Sequence, residues 1–156
     1  MQTYSSQKPC ARTEMLIRKP ITEVFEAFVD PSITTRFWFT KSSGKLEAGK
    51  QVRWEWEMYG ASTEVKVKAL EKNQRIVIEW EAPGGTTTVE FGFAPKSEKG
   101  TLVSVTNTGF SGDADEIVSQ VIDATGGFTL VLAGAKALLE HGIMLNLVAD
   151  RYPDGH

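Results

Sequence analysis

Residues 114–147 constrain the fold of this chain more than any other stretch, because they are largely apolar and follow a series of β-like segments instead of alternating with them. The centre of this stretch is typical of a helix that is apolar around most of its circumference, with Leu130, Val131, Ala133, Gly134, Ala137, Leu138 and Leu139. Such a helix has to be buried on more than one side. Lys136, Glu140 and His141 interrupt it too early for a membrane span. We therefore predict that it lies along the concave face of a curved sheet, with a ligand pocket between helix and sheet.

The preceding chain predicts that sheet. A loosely alternating segment over residues 12–18 is expected to form a first strand, and five more segments alternate with a period of two, over residues 52–58, 64–69, 76–80, 87–93 and 103–107. Met58 shares the apolar face of its segment with Trp54 and Trp56. Short connections such as Pro83-Gly84-Gly85 favour an antiparallel meander. The fold class is therefore α+β, with a curved antiparallel six-stranded sheet wrapped around a long C-terminal helix.

Two short helices are predicted between the first strand and the meander. The first begins after Pro20, and Asp30-Pro31 ends it. The second is expected to have Ser32 as its N-cap and to run to Phe39.

The double glycine Gly126-Gly127 lies inside the long helical pattern. Each glycine in a helix interior costs about 1 kcal/mol relative to alanine. The pair therefore either splits the helix or lets another group approach its backbone closely. Together with the glycine-flanked loop over residues 109–112, it is the predicted gate of the pocket.

Length and composition bound the classes of function. We assign residues 12–156 to one domain and residues 1–11 to a flexible N-terminal segment. With 17 basic and 20 acidic residues and no basic block, nucleic acid is a poor partner. The single cysteine, Cys10, permits no intrachain disulfide, and the polar N-terminal stretch lacks a signal-peptide core, so we expect a cytoplasmic protein. Two histidines and one cysteine, far apart in sequence, predict no metal site, and no phosphate-loop or nucleophile motif predicts a cofactor.

The aromatic residues of the inward strand phase are the main candidates for a site. Four tryptophans exceed what packing alone needs in so small a domain, so the aromatic set either fills the core or lines a cavity for an apolar ligand. Asn107 is the lone polar residue in phase with Val103 and Val105, and its amide needs a ligand, a trapped water or nearby backbone as partner. The predicted ligand-binding residues are Trp54, Trp56, Trp80, Phe91, Phe93, Asn107, Phe110 and Phe128.

No catalytic residue is assigned. Acid–base catalysis needs a carboxylate in an apolar setting, and the paired carboxylates lie on faces that we expect to be solvated. These pairs are Glu55 with Glu57 and Glu79 with Glu81. The best remaining candidates for an acid or base inside the cavity are Arg36, Glu64 and Asp123.

The order of elements and several local motifs resemble the START-like, or helix-grip, superfamily, and in particular its branch named after the activator of Hsp90 ATPase. The motifs are PITEVFEAF over residues 20–28, RFW over 36–38, TNTGF over 106–110, GF over 127–128 and LLEHG over 138–142. The resemblance spans residues 12–147. It implies a cavity under the terminal helix that, across the superfamily, accepts lipids, polyketides, plant hormones and similar apolar molecules. Phe128 departs from the branch, which often has tryptophan there.

Three functional hypotheses follow. The first is binding of a small hydrophobic ligand, such as a lipid, a polyketide or an aromatic molecule. The second is a co-chaperone or stress-response module whose exposed contacts are Trp38, Phe39 and the apolar tail over residues 143–148. The third is a cyclase- or hydrolase-type enzyme that uses the same cavity. The expected partner is a small hydrophobic molecule, with a chaperone as the alternative, and the chain is expected to be a monomer or a homodimer.

Overall fold

A computed structural model describes residues 8–155. The elements, in chain order, are β1 (Ala11–Ile17), α1 (Ile21–Val29), α2 (Pro31–Thr34), β2 (Lys41–Ser42), β3 (Gln51–Trp56), β4 (Ala61–Glu71), β5 (Arg75–Ala82), β6 (Gly85–Pro95), β7 (Thr101–Thr108), α3 (Ala114–His141) and α4 (Leu147–Asp150). The predicted α+β fold, with two short helices after strand 1 and a long C-terminal helix, is confirmed. The flexible segment predicted over residues 1–11 lies mostly outside the described residues, and Ala11 already begins β1.

All strands join one antiparallel sheet in the order β1-β7-β6-β5-β4-β3-β2. Strands β3 to β7 form the predicted meander, and β1 returns to pair with β7. The sheet has seven strands where six were predicted. The additional strand, β2, has two residues that pair with Glu55 and Trp54, which is too short for a periodic signal.

The concave face of the sheet carries the apolar phase of each strand. Val65 and Val67 in β4, and Ile76 and Ile78 in β5, are at most 2% exposed. Helix α1 covers one end of this face through Phe25 and Phe28, as its spacing predicted. The period-two pattern of the strands therefore identifies which of their residues form the core.

The predicted strand over residues 52–58 is wrong at its end. Strand β3 stops at Trp56, and residues 57–59 form a 3₁₀ turn that closes on Gly60 in the left-handed region, at φ 60°. Met58 is consequently 40% exposed and does not share the inward face of Trp54. The alternation of apolar and polar residues continues past the end of β3, because a 3₁₀ turn has no signature that distinguishes it within a period-two pattern.

Helix α2 also differs from its prediction. Its N-cap is Asp30, whose carboxylate accepts the Ser32 N–H at 3.0 Å and the Ser32 hydroxyl at 2.8 Å. These two hydrogen bonds lower the pKa of Asp30. The helix ends at Thr34, and the chain then turns Trp38 and Phe39 into the core, at 6% and 2% exposure. The hypothesis that these two residues are exposed partner contacts is therefore wrong.

Helix α3 is continuous over 28 residues, so the double glycine does not split it. A capping box between Asp113 and Glu116 begins it, and Gly142 ends it in the left-handed region. Only its second half is gripped by the sheet: its buried residues start at Phe128, and residues 114–127 are all half-buried or exposed. By length and composition alone α3 would also pass as a membrane span, with 22% of the stretch buried. The burial of its second half makes it the core helix of this fold.

The gripped half of α3 is tied to the edge strand β1 by polar contacts. Glu140 Oε2 accepts the Arg18 N–H at 2.7 Å and the Lys136 ammonium at 2.6 Å. Lys136 Nζ also donates to the Leu16 carbonyl at 2.8 Å. The charges that interrupt the apolar pattern of α3 therefore lock the helix onto the sheet.

Candidate ligand-binding site

A cavity of about 550 Å³ lies where the first half of α3 stands away from the sheet. The end of β5, the loop around Phe110 and the chain after α4 complete its walls. The lining residues are Trp38, Trp80, Glu81, Ala82, Pro83, Asn107, Phe110, Glu116, Ser119, Gln120, Asp123, Ala124, Gly127, Phe128, Leu130, Val131, Val148 and Arg151. The site exists because α3 is held by the sheet only from Phe128 onward.

Three aromatic rings form the inner end of the cavity. Trp80 stacks on Phe128 with ring centroids 6.0 Å apart and an interplanar angle of 23°. Trp38 meets both rings edge-on, at 6.0 Å from Trp80 and 5.9 Å from Phe128. Edge-to-face and offset stacks hold aromatic side chains in fixed orientations. This end is therefore a preformed apolar wall.

The predicted site residues divide into two groups. Four of them line the cavity: Trp80, Asn107, Phe110 and Phe128. Four lie elsewhere: Trp54, Trp56, Phe91 and Phe93. For the four that line the cavity, a binding role remains a prediction.

The second group does not line the cavity; its members pack in the core, and several of them lie directly behind the rings of the cavity wall. Trp54 is 1% exposed and stacks on Phe39 at 4.3 Å. Phe91 and Phe93 contact Phe28 of α1, and Trp56 packs at the edge of the aromatic cluster. Strand phase separates inward from outward residues, but it does not show which inward residues border the cavity and which are covered by other side chains.

Two kinds of lining residue were missed from the sequence. Trp38 was named only as an exposed contact of the co-chaperone hypothesis, whereas it is buried and lines the cavity. Glu116 and Gln120 were missed as well; together with Asp123, which the sequence named as a possible acid or base in the cavity, they have a spacing of four and three that marks one helix face. That signal was present, but a polar face is ordinarily expected to point to solvent.

The sequence left open whether the partner of the Asn107 amide is the backbone or a ligand or water in the cavity, and the structure has room for both. It is 3% exposed, and its Nδ2 donates to the Thr88 carbonyl of the neighbouring strand at 2.9 Å. The backbone partner is thus across the sheet and not in a local turn. Its Oδ1 makes no hydrogen bond within the part of the chain that the structure describes, and the residue lines the cavity. Asn107 therefore presents an open acceptor at the cavity wall.

The three residues named as possible acids or bases lie in different parts of the structure: Arg36, Glu64 and Asp123. Asp123 lines the cavity and is solvated at its mouth, where it accepts hydrogen bonds from Arg151 and Tyr152. Glu64 forms an ion pair with Arg53 on the outer face of the sheet, at 3.4 Å. Arg36 is exposed after α2. Among residues 8–155, no group of three or more histidine, cysteine, aspartate or glutamate side chains could hold a metal ion.

Residues 147–152, which we name the C-terminal strap, close one side of the cavity. Arg151 donates to the Asp123 carboxylate at 3.2 Å and to its carbonyl oxygen at 3.3 Å. On the other side, the Tyr59 hydroxyl donates to the carbonyl oxygens of Val148 and Ala149. The strap is therefore tied both to α3 and to the turn after β3.

The double glycine of α3 makes room for this strap. A Cβ at Gly127 would lie 2.9 Å from Arg151 Nη1, and one at Gly126 would lie 3.1 Å from Arg151 Nη2. Of the two roles predicted for the pair, close approach is the one observed. The backbone approaches an arginine of the same chain.

We expect the substitution Gly127→Ala to stabilise the protein much less than alanine normally does in a helix. The gain in helix propensity is about 1 kcal/mol, but the new methyl group displaces the Arg151 guanidinium from Asp123. In an Arg151→Ala background the full gain should return, and urea unfolding of the four proteins in this double-mutant cycle measures the difference. Equal gains in both backgrounds would contradict the contact.

The chain is similar to known proteins in both sequence and fold. The family described as "Activator of Hsp90 ATPase homolog 1-like protein" matches residues 18–140. No curated protein matches the sequence significantly.

Three solved structures illustrate the likeness. Protein SSP2350 from Staphylococcus saprophyticus is 34% identical, with a TM-score of 0.77 over 88% of this chain and 96% of that one. DynU16, a protein in the dynemicin biosynthetic locus, has a TM-score of 0.77 at 19% identity, over 88% of this chain and 49% of its own. The Aha1 dimer from Colwellia psychrerythraea has a TM-score of 0.74 at 16% identity, over 86% and 98%. The last two share the fold alone.

Proposed function

This chain belongs to the family of activator of Hsp90 ATPase homolog 1-like proteins, and on that basis we propose that it binds a small hydrophobic molecule in the cavity under α3. The observation that carries the proposal is the cavity itself. Its volume of about 550 Å³ lies within the range of small-molecule sites, and its inner end is built from Trp38, Trp80 and Phe128. A flat aromatic molecule placed against these rings would lose its hydrated apolar surface, which contributes about 25 cal/mol per Å² before the costs of binding.

The wider fold is consistent with this proposal. DynU16, a protein in the dynemicin biosynthetic locus, shares this fold. Fold likeness alone does not transfer a ligand, so the proposal depends on the residues that line this cavity.

Titration with a fluorescent polycyclic alcohol, pyrenemethanol, tests the proposal. Because two tryptophans line the cavity, we expect saturable quenching of tryptophan emission and a one-to-one complex in native mass spectrometry. The variant Ile122→Ala is the control, because Ile122 is 67% exposed on the solvent side of α3 and does not line the cavity, so its loss should leave the affinity unchanged. Absence of both saturable quenching and a one-to-one complex would overturn the proposal.

A chaperone-related role is the second candidate, and one surface feature favours it. Ile143, Met144 and Leu145 follow α3 and are 45–50% exposed, and Met58 lies exposed after β3. Contiguous exposed apolar residues often mark contacts with other proteins. The test is the ATPase rate of the bacterial Hsp90 homologue with and without this protein. An unchanged rate rejects activation, and it leaves ligand binding unaffected.

A further inference from the structure

The first half of α3 is polar on its cavity side and apolar on its solvent side. Glu116, Gln120 and Asp123 line the cavity, whereas Val118 and Ile122 are 53% and 67% exposed. A helix at the surface of a domain ordinarily has the opposite arrangement. Polar groups that face a cavity with apolar walls indicate that its occupant has a polar part on this side.

The two amide side chains at the cavity differ in what they offer a ligand. Gln120 Nε2 donates one N–H to the Ser111 carbonyl at 3.0 Å, and its Oε1 is enclosed by protein atoms, without a hydrogen bond in residues 8–155 and out of reach of a ligand. Asn107 Nδ2 likewise donates to Thr88, and its Oδ1 is open. An amide oxygen can only accept a hydrogen bond. The complementary group on a ligand is therefore an N–H or an O–H.

The charged residues at the mouth of the cavity also favour a ligand with a hydrogen-bond donor over an anionic ligand. Three carboxylates line the cavity, on Glu81, Glu116 and Asp123, against one guanidinium, on Arg151. That guanidinium is already bound to Asp123 at 3.2 Å. Among residues 8–155 no lysine lines the cavity, so an anionic ligand would meet the negative charge of these carboxylates without a further described cation to balance it.

The N-terminus of α3 does not offer an anion site either. The Asp113 carboxylate accepts the Glu116 N–H at 2.8 Å, and Glu116 Oε1 accepts the Asp113 N–H at 3.2 Å. This reciprocal pair occupies backbone donors that could otherwise bind an anion. It also adds negative charge next to the cavity.

We propose that the cavity selects aromatic or polycyclic molecules that carry a hydrogen-bond donor, that a cationic amine is bound best, and that carboxylates are excluded. The proposal rests on the proposed function, since it names the class of molecule that the same cavity takes. The apolar part of the molecule lies against Trp80 and Phe128. Its donor points to the acceptor of Asn107 and to the mouth carboxylates.

Three probes with one skeleton test this selection: pyrenemethylamine, pyrenemethanol and pyrenecarboxylate. Titrations at pH 7 should rank the amine tightest, the alcohol next and the carboxylate at least about tenfold weaker than the alcohol. The advantage of the amine should shrink as sodium chloride is raised, because salt screens the mouth charges. The variant Glu81→Gln should reduce the amine-to-alcohol ratio. The control Glu98→Gln, an exposed acid in the turn before β7, makes the same charge change away from the cavity and should leave that ratio unchanged.

A second variant separates hydrogen bonding from charge. Asn107→Leu should weaken the amine and the alcohol and leave the carboxylate unchanged or tighter, because it removes the open acceptor of the cavity wall and keeps the net charge. If pyrenemethanol and pyrenecarboxylate bind equally, the selection is overturned while the ligand-binding function stands. If none of the three probes binds, the proposed function and this selection are both overturned.

Discussion

Replacing Ala124 with tryptophan is expected to weaken the binding of pyrenemethanol at least about tenfold, which corresponds to about 1.4 kcal/mol. Ala124 lies on the cavity side of α3, one turn before Phe128, and its small side chain leaves part of the cavity open. An indole at this position would take up the space in front of the aromatic wall. Isothermal titration with the same probe gives the affinity directly.

The control for this variant uses the same helix. Ile122→Trp introduces the same side chain on the solvent side of α3, where the residue is 67% exposed, and should leave the affinity unchanged. Unfolding in urea shows whether Ala124→Trp keeps its fold, since overpacking can cost about 1–3 kcal/mol. A folded Ala124→Trp protein that binds the probe as tightly as the original would show that the ligand site is elsewhere.

Glu140→Gln is expected to lower the free energy of unfolding at pH 7 by about 2 kcal/mol, the size of a buried hydrogen bond to a charged group. The Glu140 side chain is only 10% exposed and accepts hydrogen bonds from Arg18 and Lys136. Burial alone would raise the pKa of Glu140, but these two partners outweigh it and hold the pKa below its ordinary value of 4.5. The contribution of Glu140 is therefore present above pH 4.5 and is lost as the pH falls through the lower pKa of the folded state.

Urea unfolding at several values of pH measures both effects. The original protein should lose stability at acidic pH more steeply than Glu140→Gln, because the substituted side chain no longer titrates. Glu14→Gln, on an exposed position of β1, is the matched control and should change the stability little. A Glu140→Gln protein with unchanged stability at pH 7 would contradict the role of Glu140 in holding α3 to β1.

Much of the fold was open to prediction because its signals are local. The period of two in the strands and the glycine turns between them predict a meander, and they place Val65 or Ile78 inward without knowledge of the neighbouring strand. The predictions failed where the chain departs from regular structure. Met58 continues the alternation of β3 by chance, and Trp38 follows α2 in a segment that is neither helix nor strand.

The residues of the candidate site were harder to predict than the fold. Whether a residue lines the cavity depends on distances between elements that are far apart in the sequence. Trp54 and Trp80 have the same strand phase, yet one packs under Phe39 and the other lines the cavity. Arg151 lies 28 residues after Asp123 and reaches it only because the strap folds back along α3. No pattern within a single segment contains that information.

The sequence by itself determined that an apolar helix follows a meander and must be covered by it, because periodicity and composition decide which faces avoid water. It also marked the double glycine as either a break in the helix or a place of close approach. Only the tertiary structure decided that the sheet grips α3 from Phe128 onward and that the first half stands off over a cavity with its polar side inward. That outcome depends on where α3 is anchored to β1 and where the C-terminal strap crosses it. Both are contacts between residues far apart in the chain.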